Sequence, residues 1–196
     1  MAETSNVRVL VCGGIGAGKS AVTKLFATMG ATAIEADRVG HEVLARGGAA
    51  WNAVASRWPD VVTTGGEIDR AALASIVFAD PRELAALESF THPAIASAIQ
   101  HRASGITGPV VVEVPIVLPL TGEWTVVFVD ASLDVRLDRA QERGMDRVDA
   151  IRRARQQPER ADWLKIADHV VVNDSDLGTL QERASEVWRK IVADAS

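Results

Sequence analysis

Residues Gly13 to Ser20 read GGIGAGKS and fit the phosphate-binding pattern G-x-x-x-x-G-K-[ST]. An apolar, β-branched run at Val7–Val11 precedes this segment, and a helical pattern begins at Ala21–Phe26. A strand that leads through a glycine-rich turn into a helix leaves backbone N–H groups free to wrap a polyphosphate. Lys19 then reaches the terminal phosphates, and the Ser20 hydroxyl binds Mg²⁺. The motif predicts a nucleoside triphosphate site.

The expected nucleotide contacts all lie in this loop and at the start of the following helix. They are Gly14, Ile15, Gly16, Ala17, Gly18, Lys19, Ser20 and Ala21.

Asp37 is the candidate general base, because transfer of a phosphoryl group needs a carboxylate beside the acceptor hydroxyl. It directly follows the second predicted strand, in Ile34-Glu35-Ala36-Asp37, where a side chain projects over the sheet edge. A base in this position contributes on the order of 10²- to 10⁴-fold to the rate. The other interpretation makes Asp37 the N-cap of the next helix, and the two roles are compatible.

Glu113 is the second candidate residue of the Mg²⁺ site, together with Ser20. It ends the third predicted strand, Val110–Val114, after three valines. A carboxylate at this position could hold Mg²⁺ through a bound water molecule. The alternative, held equally, is a buried carboxylate that bonds backbone groups near the loop.

A group of arginines can neutralise charge in the transition state. Arg139 and Arg143 are four residues apart and share one helical face, and Arg152 follows in the next helix of a hairpin that turns at Gly144. Such a hairpin can close over ATP as a lid and exclude water. For most arginines of this segment the alternative is pairing at the surface with Asp138, Glu142 and Asp149.

The elements that position these residues are predicted to form an α/β fold with a five-stranded parallel sheet. Short apolar runs recur between helical segments, which is typical of strands covered on both faces. The runs are Val7–Val11, Ala33–Ile34, Val110–Val114, Val126–Val129 and Val170–Val172. We expect one domain over residues 1–196, with its core at about 6–36, 109–134 and 162–196.

Two helical parts are inserted into this predicted core. About seventy mainly helical residues separate the second and third strands, far more than a crossover needs. We interpret about 37–108 as a lobe over the carboxyl ends of the strands, with Pro93 kinking or interrupting its long helix. Residues at about 135–161 form the predicted lid.

The composition is that of an ordinary globular protein, with 47% hydrophobic and 24% charged residues. The net charge of −5 argues against general nucleic-acid binding and against binding to anionic membranes. One cysteine and a polar start without a signal peptide favour the cytoplasm. We expect neither a nucleic acid nor a membrane partner, and a monomer or weak homo-oligomer.

Beyond the phosphate loop, the chain resembles the dephospho-coenzyme A kinase family from about Val9 to Ile191. The resemblance rests on motifs that occur in the family's order. They include GGIGAGKS, EAD at 35–37, Asp69-Arg70, His92-Pro93-Ala94-Ile95, Pro115, the spacing Arg139, Arg143, Arg152 and Gln156, and Ala167-Asp168 with Asn173.

The resemblance implies a P-loop nucleotide-kinase fold with a core, an acceptor-binding lobe and a lid. It implies transfer of the γ-phosphoryl group of ATP to the ribose 3′-hydroxyl of dephospho-coenzyme A, the last step of coenzyme A biosynthesis. Asp37 is then the base, Arg139 and Arg143 are lid arginines, and Asn173 lies beside the ATP base. The implied acceptor lobe holds Asp69, Arg70, His92 and Pro93.

Five places depart from the family pattern. The acid expected after the third strand is absent at Pro119, and Arg136 replaces a glutamine that precedes the lid arginines. The other departures are Cys12 for threonine, Glu35 for aspartate and Trp58-Pro59 for Phe-Gly.

Two alternative functions stay open at this point. One is a related kinase that acts on another small nucleotide or nucleoside, which is favoured if the departures reshape the acceptor lobe. The other is a nucleotide-binding switch without turnover. The presence of Lys19, Ser20, Asp37 and the lid arginines argues against the switch.

Overall fold

The computed structural model describes residues 7–115, 118 and 120–195, and these contain a five-stranded sheet whose strands are all parallel. The strand order is β2-β3-β1-β4-β5. The strands are β1 (Arg8–Cys12), β2 (Thr32–Glu35), β3 (Val110–Glu113), β4 (Thr125–Asp130) and β5 (His169–Val172). The predicted α/β class and the five-stranded parallel sheet are confirmed.

The helices fill the segments between the strands. They are α1 (Lys19–Thr28), α2 (Ala36–Leu44), α3 (Trp51–Arg57), α4 (Arg70–Val77), α5 (Pro81–Ser104), α6 (Leu133–Glu142), α7 (Arg147–Arg155), α8 (Arg160–Ile166) and α9 (Leu177–Asp194). A short 3-10 helix covers Pro59–Val61.

The register brings the ends of neighbouring strands to one edge of the sheet. Val11 pairs with Glu113, and Glu113 also pairs with Glu35 on the other side. On the opposite half, Asp130 pairs with Val172. Ligands of open α/β sheets bind outside the carboxyl ends of the strands, so this edge is where a site is expected.

One face of the sheet packs against α1 and α9. The contributing strand residues are buried valines from four strands, and the two helices add Phe26 and Trp188, whose rings lie 4.7 Å apart. Each such aromatic ring stabilises the fold by roughly 1.5–3 kcal/mol through burial. On the other face, Phe128 of β4 stacks on Trp163 of α8 at 6.1 Å. The two faces therefore hold β1 and β4 rigidly beneath the loops that follow them.

The chain divides into two compact units. The first comprises residues 1–35, 103–117 and 122–196, and the second comprises 36–102 and 118–121. The second unit is helical and has its own core around Val54, Trp58, Leu73 and Val77. Its long helix α5 continues through Pro93, so of the two predicted effects of this proline an interruption is wrong and a kink stays a prediction.

Within the first unit, α6 and α7 form the predicted helical hairpin. The turn includes Gly144 at φ +85°, a backbone conformation that glycine adopts without strain. Leu137, Ala140 and Ala150 form a small buried cluster between the two helices. Of the described helices, none is both long and apolar enough to cross a membrane.

Candidate functional site

The phosphate loop, Gly13–Ser20, joins β1 to α1 and packs too closely for a side chain at each of its four glycines, as two of them illustrate. Gly13 has φ +145°, and a Cβ there would lie 2.5 Å from the Val129 carbonyl oxygen. Gly18 has φ +100°, and a Cβ there would lie 2.2 Å from the Asn173 amide nitrogen. The glycines therefore let the loop lie directly on the ends of β4 and β5.

Lys19 begins α1 and folds back over the loop. Its Nζ donates hydrogen bonds to the carbonyl oxygens of Gly13 at 3.1 Å and Gly14 at 3.3 Å. The first turn of α1 contains no acidic residue, and Gly18 provides no side-chain cap. The positive end of the helix dipole and the ammonium group thus favour an anion at the same loop.

Ser20 and Glu113 meet at the edge of the sheet. Ser20 Oγ donates a hydrogen bond of 2.8 Å to Glu113 Oε1, and both side chains are half-buried. Glu113 thus bonds a side chain of the loop. Hydroxyl and carboxylate oxygens are the ligands that Mg²⁺ prefers, and this ion usually keeps several waters and takes substrate phosphates as further ligands. The described residues contain no cluster of three or more metal-binding side chains, and a partly hydrated ion needs none.

Asn173 links the phosphate loop to the helical hairpin of α6 and α7. Its side chain is buried and donates to the Ala17 carbonyl oxygen at 2.7 Å. Arg139 of α6 donates to the Asn173 carbonyl oxygen at 2.9 Å and to the Ser175 carbonyl oxygen at 3.3 Å. The structure therefore brings together the predicted nucleotide residues Ala17 and Asn173 and the predicted lid residue Arg139.

The other lid arginines are at the surface. Arg143 is the C-cap residue of α6, one position past the end of the helix, and its side chain is exposed. Arg152 pairs with Asp149 at 2.7 Å in an exposed ion pair. The alternative of surface pairing therefore holds for Arg152.

Gln157 contacts the phosphate loop but was not among the predicted site residues, since the family spacing pointed to Gln156. Its Oε1 accepts a hydrogen bond of 2.7 Å from the Ile15 backbone N–H. The only signal in the sequence was the glutamine pair at the end of the lid segment. The contact occupies a loop N–H of the kind that phosphates bind.

Asp130 is a second residue that sequence reasoning missed. It ends β4, is buried, and accepts a hydrogen bond of 2.8 Å from Arg160 Nε, while Arg160 Nη2 lies 2.8 Å from the same oxygen in an ion pair; this carboxylate raises the pKa of Arg160. An acid directly after the valines of a buried strand was the available signal, as it was for Glu113. Asp130 lines a cleft of about 850 Å³ that also includes Gly14, Arg136 and Trp163.

Cys12, the last residue of β1, is buried beneath the loop. Burial raises the pKa of its thiol to about 12, and the charge of Lys19 opposes part of that rise. The thiol is therefore protonated at neutral pH and packs as a small apolar group.

Asp37, the predicted base, is the second residue of α2 and lies in its first turn, so it is not the N-cap of that helix. Its side chain is exposed and forms no hydrogen bond or ion pair with any described residue. Chain connectivity places it two residues after Glu35, the end of β2. The carboxylate is thus accessible to a ligand.

The predicted acceptor residues all belong to the helical unit. Asp69 caps α4, because its Oδ1 accepts from the N–H groups of Ala71 and Ala72 at 3.0 Å. Arg70 is the first residue of that helix, and His92 and Pro93 lie within α5. Within the described part of the chain, no hydrogen bond or ion pair joins Asp69, Arg70 and His92. Pro119, where the family acid is missing, lies outside the described residues.

Comparisons with known proteins agree on one family. The sequence profile of the family described as Dephospho-CoA kinase matches residues 7–179. The chain is similar to the Dephospho-CoA kinase of Streptomyces avermitilis, with 40% identity over 195 residues, 95% of this chain and 94% of that protein. It is also similar to the Dephospho-CoA kinase of Frankia casuarinae, with 36% identity over 92% of this chain and 82% of that protein.

Solved structures show the same fold. A Thermus thermophilus protein superposes with a TM-score of 0.77 at 28% identity, covering 94% of this chain and 98% of that one. The Dephospho-CoA kinase from Campylobacter jejuni superposes with a TM-score of 0.63 at 24% identity, covering 94% and 96%.

Proposed function

Because this chain belongs to the dephospho-CoA kinase family, we infer that it transfers the γ-phosphoryl group of ATP to the ribose 3′-hydroxyl of dephospho-coenzyme A. The chain is thus a phosphotransferase of the final step of coenzyme A biosynthesis. The observation that carries this conclusion is the 40% identity to a Dephospho-CoA kinase over nearly the whole length of both chains. The geometry of the phosphate loop supports it.

Binding of ATP is assigned to the phosphate loop. We propose that the backbone N–H groups from Gly14 to Ala21 bind the phosphates and that Lys19 turns from its loop carbonyls to the terminal phosphate. Asn173 is proposed to lie beside the ATP base. The contacts of Asn173 with Ala17 and Arg139 support this assignment, since they fix its position at the loop.

Mg²⁺ is proposed to bind at Ser20 and Glu113. When bound, it would neutralise charge on the phosphates of ATP. The hydrogen bond between the two side chains keeps their oxygens at one point of the sheet edge and supports the assignment.

Asp37 is proposed to accept the proton of the ribose 3′-hydroxyl. Its exposure and lack of a partner support this role, because a base must be free to bond the acceptor hydroxyl. Arg139 and Arg143 are proposed to neutralise charge on the transferring group. Arg143 is free for this task, being exposed and without a hydrogen bond or ion pair to any described residue.

We propose that the helical unit, residues 36–102, binds the acceptor through Asp69, Arg70, His92 and Pro93, and that α6 and α7 form a lid. We further propose a cytoplasmic enzyme, monomeric or weakly self-associating, that needs neither nucleic acid nor membrane. The acidic composition supports the exclusion of both.

A coupled assay tests the function. Purified protein with ATP, Mg²⁺ and dephospho-coenzyme A should release ADP, and NMR of the product should place the new phosphate on the 3′-oxygen. Lys19→Ala should abolish the signal, because the loop loses its one cationic side chain, whereas Lys24→Ala on the exposed face of α1 should not. Turnover only with other nucleosides would favour the related kinase, and ATP binding without any turnover would favour the switch.

A further inference from the structure

Arg136, the fourth residue of α6, lies against the phosphate loop. A Cβ on Gly14 would lie 1.6 Å from Arg136 Nη1 and 2.8 Å from Cζ, so the guanidinium fills the space beside this glycine. The backbone oxygen of Arg136 packs as closely, 2.1 Å from where a Cβ on Gly16 would be. The position of the guanidinium is thus set by the loop itself.

The guanidinium of Arg136 has no hydrogen-bond partner within the described part of the chain. Its Nε is buried and unpartnered, and no nitrogen of the group bonds a described residue. Arginine carries only donors, and buried donors in native proteins are almost always paired. The group is therefore short of an acceptor.

The neighbouring carboxylate does not provide that acceptor. Burial lowers the pKa of the Arg136 guanidinium, and the charge of Asp130 offsets only part of that fall. The carboxylate of Asp130 instead accepts a hydrogen bond of 2.8 Å from Arg160 Nε and forms an ion pair with Arg160 Nη2 at 2.8 Å. A half-buried cation thus lies against a loop built to bind anions, while the nearby acid is bonded elsewhere.

We propose that Arg136 is a further phosphate-binding residue of this enzyme, one that donates charge-assisted hydrogen bonds to the polyphosphate of ATP beside Gly14. This inference rests on the proposed function, since it takes ATP as the ligand of the loop. Planar guanidinium groups bind phosphate oxygens in pairs of parallel hydrogen bonds, which an amide at this position cannot match. Arg136 therefore gives the loop a second cationic contact beside Lys19.

The primary test measures ATP binding without acceptor, by calorimetry at two salt concentrations. Arg136→Gln, which removes the charge but keeps a polar side chain, should raise the Kd for ATP at least about tenfold, as expected for one charge-assisted bond. The salt dependence of binding should flatten, because a cation has been removed. Arg136→Lys should recover part of the affinity. The matched control is Arg153→Gln, an exposed arginine of α7 without a described partner, which should change the Kd by less than about twofold.

A second variant tests the same contact with Arg136 in place. Gly14 does not have a positive φ, so Gly14→Ala fits the backbone but displaces the guanidinium. It should weaken ATP binding in the wild-type background and far less in the Arg136→Gln background, giving non-additive effects. If a thermal melt shows that Arg136→Gln is unfolded, Gly14→Ala in the wild-type background still tests the contact.

Three results would overturn the inference. They are an ATP Kd for Arg136→Gln within about twofold of wild type, a loss of affinity with unchanged salt dependence, and an equal effect of Gly14→Ala in both backgrounds. Failure of the proposed function looks different, because the wild-type protein would then bind ATP in an Arg136-dependent manner and yet not phosphorylate dephospho-coenzyme A.

Discussion

Ser20 Oγ donates a hydrogen bond of 2.8 Å to Glu113 Oε1, although 93 residues separate the two along the chain. The parallel pairing of β1 with β3 brings them together, since Val11 lies opposite Glu113 at the point where the phosphate loop begins. The Ser20 hydroxyl and the Glu113 carboxylate therefore place two oxygen atoms side by side at this edge of the sheet, and oxygen is the ligand that Mg²⁺ prefers.

Glu113→Gln tests this pair as a metal site. The amide can still accept the Ser20 hydrogen bond, but it lacks the negative charge that attracts Mg²⁺. We expect the Mg²⁺ concentration for half-maximal activity to rise about tenfold, corresponding to about 1.4 kcal/mol of binding free energy. Glu123→Gln, at an exposed position, is the control. An unchanged Mg²⁺ requirement in Glu113→Gln would contradict the assignment.

Asp37→Asn tests the general base. The amide keeps the shape of the side chain but cannot take a proton, so kcat should fall at least about a hundred-fold while the Kd for ATP stays near that of wild type. Asp60→Asn, an exposed acid in the same helical unit, should leave both values unchanged. Single-turnover kinetics and a binding titration measure the two quantities. Full activity of Asp37→Asn would show that another group accepts the proton.

Gln157→Ala removes the acceptor that holds the Ile15 N–H. If a phosphate oxygen of ATP accepts a hydrogen bond from this N–H, the wild-type protein must first break the 2.7 Å hydrogen bond to Gln157. Since one neutral hydrogen bond contributes about 0.5–1.5 kcal/mol net, the variant should bind ATP roughly 2- to 10-fold more tightly. The matched control is the adjacent, exposed Gln156→Ala. Weaker ATP binding by Gln157→Ala would indicate instead that this side chain contacts the nucleotide.

Stability at high pH should depend on Cys12. Burial raises the pKa of this thiol from 9.0 to about 12, so above pH 9 the unfolded chain loses a proton that the folded chain keeps. The contribution of the thiol is fully present below about pH 9 and is lost as the pH rises towards 12. Urea unfolding should show a steeper fall in the free energy of unfolding for wild type than for Cys12→Ala over this range. If the free energy of unfolding falls with pH equally in both proteins, the raised pKa of Cys12 is refuted.

Much of the fold was predictable because its signals are local. Short apolar runs marked all five strands, and each observed end differs from the predicted one by at most one residue, as with Ala33–Ile34 against Thr32–Glu35. The turn at Gly144 was visible as a glycine between helical segments. One alternative was wrong in each of two local predictions. Pro93 does not interrupt α5, which leaves a kink as the prediction for this proline, and Asp37 lies inside the first turn of α2 and is not its N-cap.

From its sequence alone, this protein could be assigned its triphosphate loop, its parallel sheet and its family, because each is encoded in contiguous residues whose spacing reflects backbone geometry. Only the tertiary structure decided which distant side chains meet that loop. Gln157 bonds Ile15 across 142 residues, and Asn173 bonds Ala17 across 156. Arg136 lies on Gly14 for the same reason, since strand order and helix packing fix contacts that no local pattern in the chain records.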